Sequence, residues 1–112
     1  MSYTVSQYMK GFPVTKAIAA NAAMTVAFIN DVLNKIPNVR ITSTVRDAKH
    51  NAAVGGVANS KHLNTRALAV DFGWIADKAV RDKIKQIATA HGFGYLEHNV
   101  TTGMHIHCEK KT

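Results

Sequence analysis

Three separated stretches of this sequence alternate apolar and polar residues with a period of two, and together they require a sheet with one buried and one polar face. Val39, Ile41 and Val45 alternate with Arg40, Thr42, Thr44 and Arg46, and Leu68, Val70 and Phe72 alternate with Ala69, Asp71 and Gly73. Successive strand side chains point to opposite faces, so Arg46 and Asp71 fall on the side away from the core. Residues 93–98 and 104–109 read as a hairpin joined through the five residues Asn99 to Gly103. If Glu97 faces His105 and Tyr95 faces His107, then Leu96, Met104, Ile106 and Cys108 share the core face. Tyr95, Glu97, His105 and His107 then share the polar one.

Helices supply the other layer. Pro13 suits the start of a helix running from Val14 to Ile36, in which Ile18, Ala22, Val26, Ile29, Leu33 and Ile36 form one apolar stripe. Asp77 is positioned to cap a second helix, Lys78 to His91, with Val80, Ile84, Ile87 and Ala88 inward and Gly92 ending it. Residues 1–12 carry little periodicity, and residues 47–60 read as a long irregular connection with one short helical turn around Ala48 to Ala53. The expected class is α+β: a small antiparallel sheet with two helices packed on one face and a polar site on the other. A chain of 112 residues makes one domain, 1–112, able to bury roughly two-thirds of its unfolded surface without a disulfide or structural metal.

Polar residues from each strand therefore converge on one face: Arg46, Asp71, Glu97, His105 and His107. Imidazoles with one carboxylate suit zinc, and three protein ligands leave a fourth position for water. Taken singly, His50 fits a polar loop, His91 a helix C-terminus, His98 the core side of a strand end, and Glu109 a solvated strand end. Cys108 is the only cysteine, which excludes an internal disulfide. The net charge of +7 favours polyanionic partners such as nucleic acid, anionic lipid or cell wall. Lys and Arg are scattered, and no zinc-finger or RNA-binding signature accompanies them, so nucleic acid is not expected as a partner. The N-terminus lacks the apolar run of an export signal and no stretch is long enough to span a bilayer. Synthesis in the cytoplasm, no membrane insertion and a monomeric state are the expectations.

The stretch S-T-V-R-D-A-K-H-N-A-A-V-G-G-V-A-N-S-K-H at residues 43–62, followed by A-L-A-V-D-F and later by H-I-H, resembles a family. It is that of the bacterial cell-wall zinc peptidases, which include D-Ala-D-Ala carboxypeptidases and phage L-alanyl-D-glutamate endolysins, with a fold shared with Hedgehog signalling domains. The resemblance covers roughly residues 39–109, with Arg, Asn, Val-Gly-Gly, Ser-x-His, Ala-x-Asp and His-x-His in the family's order. It implies one Zn2+ per chain held by His62, Asp71 and His107. Arg46 would hold a substrate carboxylate or polarise the scissile carbonyl, and His105 would stabilise the tetrahedral intermediate. It further implies peptidoglycan as the partner and a phage-type endolysin acting at the cell wall or periplasm of its host. Two departures stand out. Asp71 comes nine residues after His62 rather than seven, with Thr65 in place of the family's Gly, which calls for a bulge around Asn64 to Leu68. Met104 occupies the position of the family's acidic general base, and a thioether takes no proton from water. The expected hairpin register nominates Glu97 as the replacement base, with His105 second. The competing readings are a metal-binding or peptidoglycan-binding protein of the same fold without catalysis, and a small basic nucleic-acid binder.

Overall fold

The computed structural model describes residues 3–53, 60–100 and 103–111. Gly55, Gly56 and Asn59 of the expected loop, and residues 101 and 102 of the hairpin, lie outside the described residues.

The N-terminal stretch is structured, contrary to its lack of periodicity. Helix α1, Val5–Met9, begins at a capping box in which the Gln7 amide donates to the Thr4 hydroxyl and the Gln7 side chain accepts from the Thr4 amide. It is too short to hold by itself. Tyr8 and Met9 anchor it, both fully buried, and the Tyr8 hydroxyl donates to the Ala69 carbonyl at 2.6 Å. Helix α2, Ala19–Lys35, follows after a turn, starting later than Pro13 suggests, and buries Ala22, Val26 and Ile29 of the expected stripe with Thr25, Phe28 and Val32 beside it, while Leu33 and Ile36 of that stripe are half-buried at the edge of the core.

Strands β1 (Arg40–Ser43), β2 (Ala69–Gly73), β3 (Phe93–Val100) and β4 (Gly103–Lys110) form a four-stranded sheet in the order β1-β2-β4-β3, with every neighbouring pair antiparallel. Short helix α3, Ala48–Ala53, stands where the helical turn was expected. Helix α4, Lys78–Ala90, starts at Asp77, whose side chain accepts from the Ala79 amide. Helices α2 and α4 cover one face of the sheet, where Val70, Phe72, Ile106 and Cys108 are fully buried. At its centre Phe28 stacks on Phe93 with ring centroids 4.5 Å apart and meets Phe72 edge-on at 5.9 Å. The architecture is thus α+β with helices on one face, which leaves the opposite face for the polar residues.

Two registers differ from expectation. Strand β1 bulges between Ile41, which pairs with Phe72, and Ser43, which pairs with Asp71. One extra residue interrupts the alternation, so Thr44 and Val45 are both buried and Thr44 does not lie on the outer face. In the hairpin, pairing continues to Val100 opposite Gly103, so both strands extend into the stretch expected as a five-residue connection. His98 therefore faces His105, Leu96 faces His107, and Glu97 faces Ile106. The one-residue slip moves Glu97 and Tyr95 to the helix-covered face and brings Leu96 and His98 to the open one.

Candidate metal centre

His62 reaches the site from a compact loop. Arg66 and Ala67 amides both donate to the Leu63 carbonyl, and Ala67 takes a positive φ of 54°. These turns take up the two extra residues between His62 and Asp71 and lie in the stretch where a bulge was expected. The Arg46 amide donates to the His62 carbonyl and the Asn64 amide to the Arg46 carbonyl, so the loop is stitched to the chain just beyond β1.

There the imidazole of His62 stands over the neighbouring strands, where Asp71 on β2 pairs directly with His107 on β4. His62 Nε2 is 3.1 Å from Asp71 Oδ1 and 3.1 Å from His107 Nδ1, and the latter two atoms are 2.8 Å apart. Tetrahedral bonds of the length zinc makes to nitrogen and oxygen place neighbouring ligand atoms about 3.3 Å apart. The triangle therefore has the dimensions of one face of such a tetrahedron. Among the described residues these three form the group able to hold a metal ion.

The tautomers point the same way. His62 Nδ1 lies 2.7 Å from the Thr44 carbonyl, which can only accept, so Nδ1 carries the proton and Nε2 presents a lone pair. His107 Nε2 lies 2.8 Å from Glu109 Oε1, and the carboxylate likewise fixes the proton on Nε2 and the lone pair on Nδ1. With both histidines neutral, three lone pairs meet with no hydrogen among them. Such a cluster requires either a cation or one extra proton, and the contacts of His107 with Asp71 and Glu109 favour that proton on His107. Its geometry and donor set fit zinc, with an oxygen and two imidazole nitrogens as ligands.

In the protein without metal, the proton option governs the electrostatics. Burial opposes charge on Asp71, but its contacts with His107 and His62 outweigh it and hold the carboxyl well below its usual range. Burial would likewise lower His107, yet its contacts with Asp71 and Glu109 raise it. Glu109 is pulled down against its own partial burial by His107 and by Lys61, whose ammonium stands 3.2 Å away. Side chains of Asp71 and His107 keep 21% and 23% exposure while His62 keeps 2%, so the triangle is backed by protein and open on one side.

The other nominated residues are placed as follows. His105 shares the open face with His107 and contacts the Thr42 hydroxyl at 3.4 Å through Nδ1. Arg46 is half-buried, and its Nε donates to Oδ1 of the buried Asn51 on α3 at 2.8 Å. Glu97 is not brought to the cluster: on the helix-covered face it accepts from the Tyr95 hydroxyl at 2.6 Å and lies 3.5 Å from Arg81 Nε. Only a register with Glu97 opposite His105 would bring it to the metal face, and the strands pair it with Ile106 instead. His98, expected on the core side, faces His105 on the open side, and Glu109, expected to be solvated, orients His107. Glu109 was within reach of the sequence, because H-x-H-x-E at residues 105–109 continues the same period of two. The Thr44 carbonyl had no such signal, since a backbone group leaves no mark on residue identity.

A family model described as Peptidase M15 matches residues 1–109. That span includes the N-terminal helices as well as residues 39–109, over which the motifs run. No curated protein and no solved structure matches the chain. The cluster of two histidines and one aspartate, the sheet that pairs two of them, and a match over nearly the whole length agree, and the chain belongs to the peptidase M15 family of zinc peptidases.

Proposed function

We propose that this chain, folded as one peptidase-like domain, is a zinc-dependent hydrolase that cuts the stem peptide of bacterial peptidoglycan, acting as a phage-type endolysin at the cell wall. The observation that carries the reading is the triangle of His62 Nε2, Asp71 Oδ1 and His107 Nδ1, with both imidazole tautomers fixed so that lone pairs converge. Bound zinc supplies a Lewis acid that polarises a peptide carbonyl and acidifies water. The chain's own residues do the rest. Arg46, held by Asn51, lies beside the His62 loop, where its charge favours an oxygen that becomes negative during peptide cleavage. With Glu97 on the far face, His105 becomes the proposed group for holding or moving a proton, because it shares the metal face and lies two residues from His107. The excess of cationic side chains supports retention on a polyanionic wall.

The test is digestion of purified peptidoglycan with and without added zinc, read by mass spectrometry of released stem fragments. Cleavage by wild type and by Glu97→Gln, lost in His107→Ala and reduced at least a hundredfold in His105→Ala, is the expected result. A second reading is favoured by one observation: Met104 takes the usual acidic position, and Glu97 does not replace it. Stoichiometric zinc with no fragments released would establish that reading, a wall-recognising protein without catalysis.

A further inference from the structure

Beside the metal cluster the same face carries a second constellation, built around Trp74. Its indole is 42% exposed, yet it is held on several sides. His105 meets it edge-on with ring centroids 4.9 Å apart, and the Arg40 guanidinium lies over the ring at 4.9 Å from its centroid. Behind it, a Cβ at Gly103 would come within 2.7 Å of Trp74 Cδ1, so only glycine at that position admits the indole. The following residue is pinned by the Ile75 amide donating to the Met104 carbonyl at 3.0 Å. Arg81 then fastens the loop from below, donating to the carbonyls of Ile75 and Ala76 while lying 3.5 Å from Glu97. Gly73 lets Thr42 and His105 meet over the strand, since a Cβ there would stand 3.1 Å from Thr42 Cγ2.

A large aromatic side chain left open to water but fixed this firmly is a platform. The guanidinium on it is exposed and makes no ion pair with a carboxylate among the described residues. Stacking on the indole costs Arg40 little of its capacity to donate, because the in-plane N–H groups of a guanidinium remain free to take a carboxylate in bidentate fashion. Two residues of strand separate His105 from His107, and two separate Gly73, the strand partner of Arg40, from Asp71, about 7 Å in each case. One residue of extended peptide spans about 3.5 Å. Arg40 is thus placed for a charge two or three residues from the metal cluster.

From this geometry we infer that Arg40 and Trp74 form a specificity subsite for an acidic peptide, with Arg40 binding a carboxylate two or three residues from the bond to be cut and Trp74 supporting the intervening backbone. The inference rests on the proposed peptide substrate, and selects within it for internal bonds of anionic stems over bonds immediately beside a terminal carboxylate.

Trp74 is the chain's only tryptophan, so intrinsic fluorescence reports this subsite directly. The probes are the free-acid stem pentapeptide of peptidoglycan, its fully amidated form, and forms amidated at one carboxylate each, titrated into the zinc-loaded protein with fluorescence for location and calorimetry for affinity. The free acid is expected to perturb Trp74 and to bind roughly ten- to hundredfold tighter than the full amide, with one single amide accounting for most of that ratio. Arg40→Gln is expected to abolish the ratio and leave zinc content unchanged. Equal binding of acid and amide by wild type, binding of neither, or a ratio that survives Arg40→Gln would overturn the subsite. Peptidoglycan cleavage measured in parallel separates the two claims. Cleavage without an acid preference removes the subsite alone, whereas acid preference without cleavage leaves the subsite standing and removes the peptidase.

Discussion

His107 is the residue on which the chemistry of the site turns, because the atom that would ligate metal is also the atom that takes the extra proton. Metal uptake must displace that proton, so zinc affinity falls as pH drops below the raised value of His107. Without metal the sign of the stability effect is opposite. A raised imidazole stabilises the fold fully below its unfolded value of about 6.5 and loses that contribution as pH climbs through the folded value. Asp71, being depressed, contributes above its unfolded value of about 3.9 and loses its contribution only in strong acid. Thermal melts in chelator should therefore decline from mildly acidic to alkaline pH, and melts in excess zinc should rise over the same interval; parallel curves would contradict the shared-atom picture. Glu109 sits behind this exchange. Glu109→Ala should weaken zinc binding about ten- to a hundredfold in a chelator competition while leaving the melting temperature of the metal-free protein within a few degrees.

Among the elements, α1 lies below the reach of periodicity, and the β3–β4 hairpin pairs one residue away from the expected register. Five helical residues provide no window in which a stripe could recur, so Tyr8 and Met9 could not be recognised as core from spacing. The only local trace was the Thr4-x-x-Gln7 capping signature. In the hairpin, Leu96 points to the displaced register because apolar strand residues are ordinarily buried, whereas it is 53% exposed on the open side. Long, strongly patterned elements behaved differently: the α2 stripe, the α4 cap and the β2 alternation follow directly from residue type. The proximity of His62 to Asp71 depends on loop turns that no pattern specifies, and only motif order pointed to it. Helix α1 also has an energetic role. Tyr8→Phe removes a buried partner from the Ala69 carbonyl, two residues before Asp71, and should reduce unfolding free energy by about 1–2 kcal/mol in urea titrations. No change would mean that the helix is docked by shape alone.

At the scale of the whole molecule, charge is distributed unevenly between internal and external uses. Several of the seven acidic residues are engaged within the protein: Asp31 with Lys35 and His91, Asp82 with Lys78, Glu97 with Arg81, and Asp71 and Glu109 in the cluster. Fourteen Lys and Arg remain against those seven, so the outward field is cationic. Raising ionic strength from about 0.1 M to 1 M shortens the screening length from about 10 Å to about 3 Å. Sedimentation with purified cell walls should show at least a tenfold loss of binding across that range, while zinc content stays constant. Salt-insensitive binding would assign wall retention to contacts within the open face instead.

The two histidines of the cluster differ in how they withstand sequence drift. His62 is oriented by the carbonyl of residue 44, and every amino acid that could replace Thr44 brings the same carbonyl with it. His107 is oriented by a side chain, and a single codon change at position 109 can delete it. A lineage carrying this fold can therefore tune or silence its metal affinity through one solvent-facing carboxylate, and leave the buried half of the site untouched.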